Sequence, residues 1–128
     1  MEINNYNKYS FEAKEKWENT EEYKEFERKN KDRTKQEFEK INEKLMNVFI
    51  ELGKMKTVSV QDKKVQDKIQ NLKDFIKDNY YKCSNEILYS LGQMYVNDER
   101  FKNNIDSAAG EGTAEFISQA IIEYCSRN

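Results

Sequence analysis

The sequence predicts an all-α domain, and three observations carry that expectation. The chain of 128 residues has no Pro and only 4 Gly, so the residues that punctuate turns are scarce. Apolar side chains recur at three- and four-residue spacing in successive stretches, the signature of helices with one buried face. Charged residues make up 36% of the chain and are rich in Glu and Lys, which favour helix over strand. This length suits one domain. The mean hydropathy of −1.07 and the 37% hydrophobic fraction imply a small core under a heavily solvated surface.

The first elements are unusual. From Asn4 to Glu37 there is no Leu, Val, Ile or Met, and the large apolar groups are Tyr6, Tyr9, Phe11, Trp17, Tyr23 and Phe26. An aliphatic-free segment cannot close-pack a core of its own and can only lay aromatics on another surface. Two helices are expected, over about Tyr6–Trp17 and Thr20–Asn30, with Asn19 or Thr20 capping the second. Residues 1–33 are therefore read as an aromatic segment resting on a helical core of residues 34–128. Two roles fit the segment: a lid over a large flat ligand, or a pair of permanently docked helices.

The core helices follow in order. Thr34 with Glu37 fits a capping box, and Phe38, Ile41, Leu45, Val48, Phe49 and Leu52 form the apolar stripe behind it. Gly53 suits the end of that helix. Ser59 with Asp62 marks the next start, and Val65, Ile69, Leu72 and Ile76 its buried face, up to Asn79. Ser84 caps a helix through Leu88, Leu91 and Tyr95, which Asn97–Asp98 breaks. A short helix to Ile105, a loop over 106–112 and a last helix over about Thr113–Tyr124 complete the core. Leu45, Ile69, Leu91 and Ile117 sit mid-stripe and are the expected centres of burial.

Composition excludes several functions. The 22 basic and 24 acidic residues interleave to a net charge of −2, with no basic stripe to neutralise phosphates, so this chain is not expected to bind nucleic acid directly. No apolar run approaches the roughly 20 residues of a membrane span, and no secretory signal is visible. With only 2 Cys, the chain reads as cytoplasmic, its cysteines as thiols. The absence of His removes the usual general base and the commonest metal ligand. There is no phosphate-binding glycine loop, and the carboxylates form no specific pair. No metal, cofactor or enzymatic activity is expected.

Three features could carry function. Tyr80-Tyr81-Lys82-Cys83-Ser84 joins two helices and sets Cys83 just before a helix N-terminus. Unpaired N–H groups there, with Lys77 and Lys82 nearby, would lower the thiol pKa, and the tyrosines would offer stacking surfaces. The alternative is a small buried cysteine between packing tyrosines. The stretch Gln93–Phe101, with Met94, Tyr95 and Phe101, could line an adaptable pocket or be plain core. The third is the aromatic N-terminal segment with its two readings.

The same residues carry a family pattern. Trp17-Glu18-Asn19-Thr20-Glu21-Glu22-Tyr23, Arg33-Thr34-Lys35-Gln36-Glu37-Phe38, Tyr80-Tyr81-Lys82-Cys83-Ser84 and Met94-Tyr95-Val96-Asn97-Asp98-Glu99-Arg100-Phe101 stand in the family's order. Asn104-Ile105-Asp106, Gly110-Glu111-Gly112 and Phe116 follow them. The chain resembles the TipAS antibiotic-recognition domain, the C-terminal half of certain MerR-family transcriptional activators, from about Tyr9 to Ile121. Glu18 stands where the family has Gly and Lys82 where it has Pro, and the family's histidines before the cysteine motif are absent.

The resemblance implies a globin-like helical fold with a cleft. It implies recognition of thiopeptide antibiotics, with the motif cysteine adding to a dehydroamino acid of the drug and an N-terminal segment that orders on binding. It implies contact with DNA only through a helix-turn-helix domain that this chain lacks. The expected ligand-binding set is Cys83, Tyr80, Tyr81, Tyr95 and Phe101, with Trp17 and Tyr23 from the lid. Two other classes stand beside this one: a helical protein-interaction module without a small ligand, marked by an exposed apolar patch, and a small thiol enzyme, which lacks a base.

Overall fold

The computed structural model describes residues 20–128. Within them lie six helices and no strand: α1 (Glu21–Asn30), α2 (Lys35–Gly53), α3 (Lys63–Asn79), α4 (Asn85–Asn97), α5 (Glu99–Ala109) and α6 (Thr113–Arg127). The helix expected over residues 6–17 falls outside the described residues.

Local chemistry sets the starts. Thr20 Oγ1 accepts the Tyr23 N–H at 3.2 Å, and Thr34 Oγ1 accepts the Glu37 N–H at 3.0 Å, each filling an orphan donor of a first turn. The Glu37 carboxylate meets the Thr34 hydroxyl at 3.3 Å. Asp62, rather than Ser59, caps α3 by accepting the Lys64 N–H at 2.8 Å; Ser59 shapes the preceding turn through the Gln61 N–H at 3.1 Å. Ser84 caps α4 through Ile87, and Asp98 caps α5 through Arg100. The cap of α6 comes from a distance. Gly112 has no side chain to offer, and the Asp106 carboxylate on α5 accepts the Ala114 N–H at 2.9 Å.

The expected loop over 106–112 is shorter in the structure. Helix α5 continues through Ala109, and Gly110 ends it with φ 108, a conformation that only glycine adopts without strain. The Gly110 N–H still reaches the Asp106 carbonyl at 2.8 Å.

The core is built around α4 on α6, the most extensive helix pair, with α2, α3 and α5 packed about it. Ile69, Leu88, Ile117 and Ile121 are sealed from solvent, and Leu91 is buried as expected. Leu45 is not: it is only partly buried, and the inner face of α2 is Asn42, Met46, Phe49 and Leu52. Gly53 is helical, and an added Cβ would stand 2.6 Å from the Ala109 carbonyl oxygen and 2.9 Å from Thr113 Oγ1. Residues 46, 49 and 53 share the face that meets α5 and α6.

Candidate functional site

The site begins where α3 ends. The N–H groups of Tyr80 and Tyr81 both return to the Ile76 carbonyl, at 2.9 and 3.1 Å, which turns the chain sharply toward α4. The Tyr80 ring is thereby buried, and its hydroxyl donates to Asn42 Oδ1 at 2.7 Å. Phe26 of α1 stacks on it at 6.1 Å, and Phe75 lies 6.3 Å away. Phe26 also meets Tyr23 at 6.3 Å and Phe38 at 5.9 Å. Tyr81 packs half-buried against the core. Tyr23, Phe38 and Tyr80 thus surround Phe26 in one aromatic cluster.

Cys83 is 5% exposed, and its Sγ lies 3.8 Å from the Ser84 carbonyl oxygen. Burial pushes its thiol pKa up to about 11; Lys73 pulls it down by less, and Cys125 adds to the rise. This corrects the expectation of an acidified thiol. The Ser84 hydroxyl takes one of the free first-turn N–H groups of α4, that of Ile87, while the Cys83 side chain belongs to the core. Desolvation then outweighs the helix dipole. The cation that bears on Cys83 is Lys73, one α3 turn before Lys77, with its Nζ 2.7 Å from Asn85 Oδ1 and 5.6 Å from the centre of the Tyr124 ring.

Tyr95 and Phe101 form a second group with Phe49. Tyr95 is 4% exposed, edge-on to Phe49 at 5.2 Å and tilted against Phe101 at 6.2 Å. Burial raises its phenol pKa, and the nearby Cys83 raises it further. Trp17 lies outside the described residues.

Several residues of the site were not singled out from the sequence. Asn42 is the one polar residue on the inner face of α2, and that placement is its signal. Phe26 was visible as an aromatic, but its stacking on Tyr80 spans α1 and α3. Cys125, without context in the sequence, comes to the start of α4, where its Sγ is 3.4 Å from the Asn85 carbonyl oxygen.

The sequence profile of the TipAS antibiotic-recognition domain matches residues 9–124. The chain belongs to this family. It is 33% identical over 124 residues, 94% of its length, to the HTH-type transcriptional activator TipA of Streptomyces coelicolor, and equally to that of Streptomyces lividans. It is 39% identical over 64 residues to the HTH-type transcriptional activator mta of Bacillus subtilis, covering 50% of this chain and 24% of that one. The chain spans about half the length of the TipA relatives, 48%. Its fold superposes with a TM-score of 0.81 on TipAS of Streptomyces lividans in complex with the thiopeptide antibiotic nosiheptide. Identity there is 28%, over 94% of this chain and 85% of the other. In this chain α2–α6 form the all-α core, with α1 laid against the α3–α4 connection.

Proposed function

We propose that this TipAS domain binds thiopeptide-type antibiotics, or similarly bulky apolar ligands, at the aromatic surface around residues 80–83, and that it acts as a binder rather than a catalyst. The observation that carries this reading is the cluster Tyr23–Phe26–Tyr80 beside Cys83 in a chain that superposes over 94% of its length on a nosiheptide complex. Flat heteroaromatic rings stack favourably on such side chains. Tyr80, Tyr81, Tyr95 and Phe101 would contact the ligand once α1 moves. Trp17 and Tyr23 of the segment 1–33 would close over it, against the core of residues 34–128.

Where the ligand carries a dehydroamino acid, Cys83 would capture it covalently. The thiolate attacks the terminal alkene carbon, the S–C bond forms as the π bond breaks, and the α-carbon takes a proton from solvent. Nothing leaves, so the adduct has the summed mass of protein and ligand. In a longer chain with the helix-turn-helix half of its relatives, closure would be passed to the DNA-binding domain in the cytoplasm; alone, the domain would sequester the drug.

Intact-mass measurement after incubation with nosiheptide and other thiopeptides tests this, together with a fluorescence titration of Trp17. Saturable binding is expected, with an adduct that Cys83→Ser abolishes while leaving non-covalent binding in place. No saturable binding across the panel would sink the assignment; binding with an adduct that survives Cys83→Ser would move the nucleophile to another residue.

A further inference from the structure

Both cysteines of the chain are free thiols, and they come together at the start of α4. Cys83 directly precedes the α4 cap, and its Sγ lies 3.8 Å from the Ser84 carbonyl oxygen. Cys125 arrives from the last turn of α6, with its Sγ 3.4 Å from the Asn85 carbonyl oxygen. Ser84 and Asn85 are consecutive at the head of one helix, so the two sulfurs rest against neighbouring peptide groups.

A cation stands at the same junction. Lys73 of α3 donates to Asn85 Oδ1 at 2.7 Å, and its Nζ lies 5.6 Å from the centre of the ring of Tyr124, the chain neighbour of Cys125. Burial raises both thiol pKa values, and Lys73 opposes it at each. A charge on Cys125 is also felt at Cys83, as expected of groups close in space. Burial disfavours a thiolate because the charge loses its water, whereas a disulfide carries no charge and suits the same surroundings. The two thiols differ in access. Cys83 is 5% exposed, while Cys125 is half-buried and followed by the exposed Ser126, Arg127 and Asn128. A reagent therefore reaches the pair through Cys125, and an exposed helix end adjusts to bond geometry more readily than the core does.

We propose that Cys83 and Cys125 form a dithiol site, at the junction of α3, α4 and α6, that a low-molecular-weight disulfide such as oxidised glutathione converts to an intramolecular disulfide. The Cys125 thiolate attacks one sulfur of the small disulfide; that S–S bond breaks, and the departing thiolate takes the proton that Cys125 gave up. The Cys83 thiolate then attacks Cys125 Sγ and expels the second small thiolate, which takes the Cys83 proton. Two protein thiols are oxidised and one small disulfide is reduced to two thiols. The consequence for ligands rests on the reading that Cys83 captures a dehydroamino acid: the disulfide removes that nucleophile, so oxidation switches the domain from covalent to reversible binding.

The test uses the full chain without antibiotic. The protein is equilibrated in glutathione buffers of graded redox ratio, quenched with acid, alkylated with N-ethylmaleimide under denaturing conditions, and measured by intact and peptide mass spectrometry. The expected product is a monomer lighter by two hydrogens, with a peptide joining Cys83 to Cys125 and neither cysteine labelled. Dithiothreitol should reverse it, and Cys125→Ser should prevent it. The folded chain should favour closure at least about tenfold over the chain in urea, which must first bring two distant residues together. Persistent glutathione on Cys125 beside a free Cys83, disulfides between chains only, or closure equal in the folded and unfolded chain would each overturn the dithiol site. A second arm adds nosiheptide to the reduced and oxidised forms. An adduct on the reduced form alone is expected, and an equal adduct on both would overturn the switch. No adduct on either, with the disulfide formed, would count against covalent capture and leave the dithiol site standing.

Discussion

Two aspartates show how single side chains hold the ends of helices together. Asp98 accepts the Arg100 N–H at 2.9 Å and is forked by the same residue's guanidinium, Nε at 3.1 Å and Nη2 at 2.8 Å. The Arg100 side chain, above all, keeps its carboxyl below the usual carboxylate range, against some desolvation. A lowered folded pKa means stability that is present above the unfolded value and lost as pH falls through the folded one. Asp98→Asn should therefore flatten the acid limb of a plot of unfolding free energy against pH; an unchanged limb would show that Arg100 does not stabilise the charged form. Asp106 acts at longer range by capping α6 from α5. Asp106→Ala should cost about 0.5–2 kcal/mol in urea unfolding, the range for a lost cap, and Asp106→Asn much less. Equal losses for the two would mean that charge, rather than the hydrogen bond, holds this end.

At the scale of elements, Gly53 lets α2 approach α5 closely. A Cβ there would meet the Ala109 carbonyl oxygen, which is backbone and cannot swing aside. Gly53→Ala adds helix propensity worth up to about 1 kcal/mol, but overpacking typically costs about 1–3 kcal/mol. We expect a net loss in denaturant unfolding, and a gain would mean that α2 and α5 separate freely. The sequence marked Gly53 as a helix end, which it is, but the reason is contact and not a left-handed cap. Leu45 and Met46 both fit an apolar stripe, and tertiary packing buries Met46 and leaves Leu45 partly exposed.

Across the whole molecule, stability should be uneven. The pair α4 and α6 surrounds Leu88, Ile117 and Ile121, while α1 buries no described side chain. Local opening free energy follows buried apolar contact. Amides of 21–30 should exchange with solvent far faster than those of α4 and α6 in the free protein, and slow when a thiopeptide is added; core-like protection without ligand would make α1 a fixed part of the fold. Much of this molecule was legible in its sequence. Helix-start residues, scarce breakers and apolar periodicity determined an all-α chain, the caps Thr34 and Ser84, a cap at Asn19 or Thr20, the break at Asn97–Asp98, and the elements on either side of Cys83, because these depend on neighbours within one or two turns. The order of short motifs from Trp17 to Phe116 determined the TipAS assignment. What tertiary structure alone decided lies across the chain: the rotation of α2, the distant cap from Asp106, the stacking of Phe26 on Tyr80, and the state of Cys83. Its place before a helix N-terminus argued for an acidic thiol, but that is a local field. Burial by the packed helices raises the pKa to about 11, because desolvation depends on everything that surrounds a group and not on its place in the sequence.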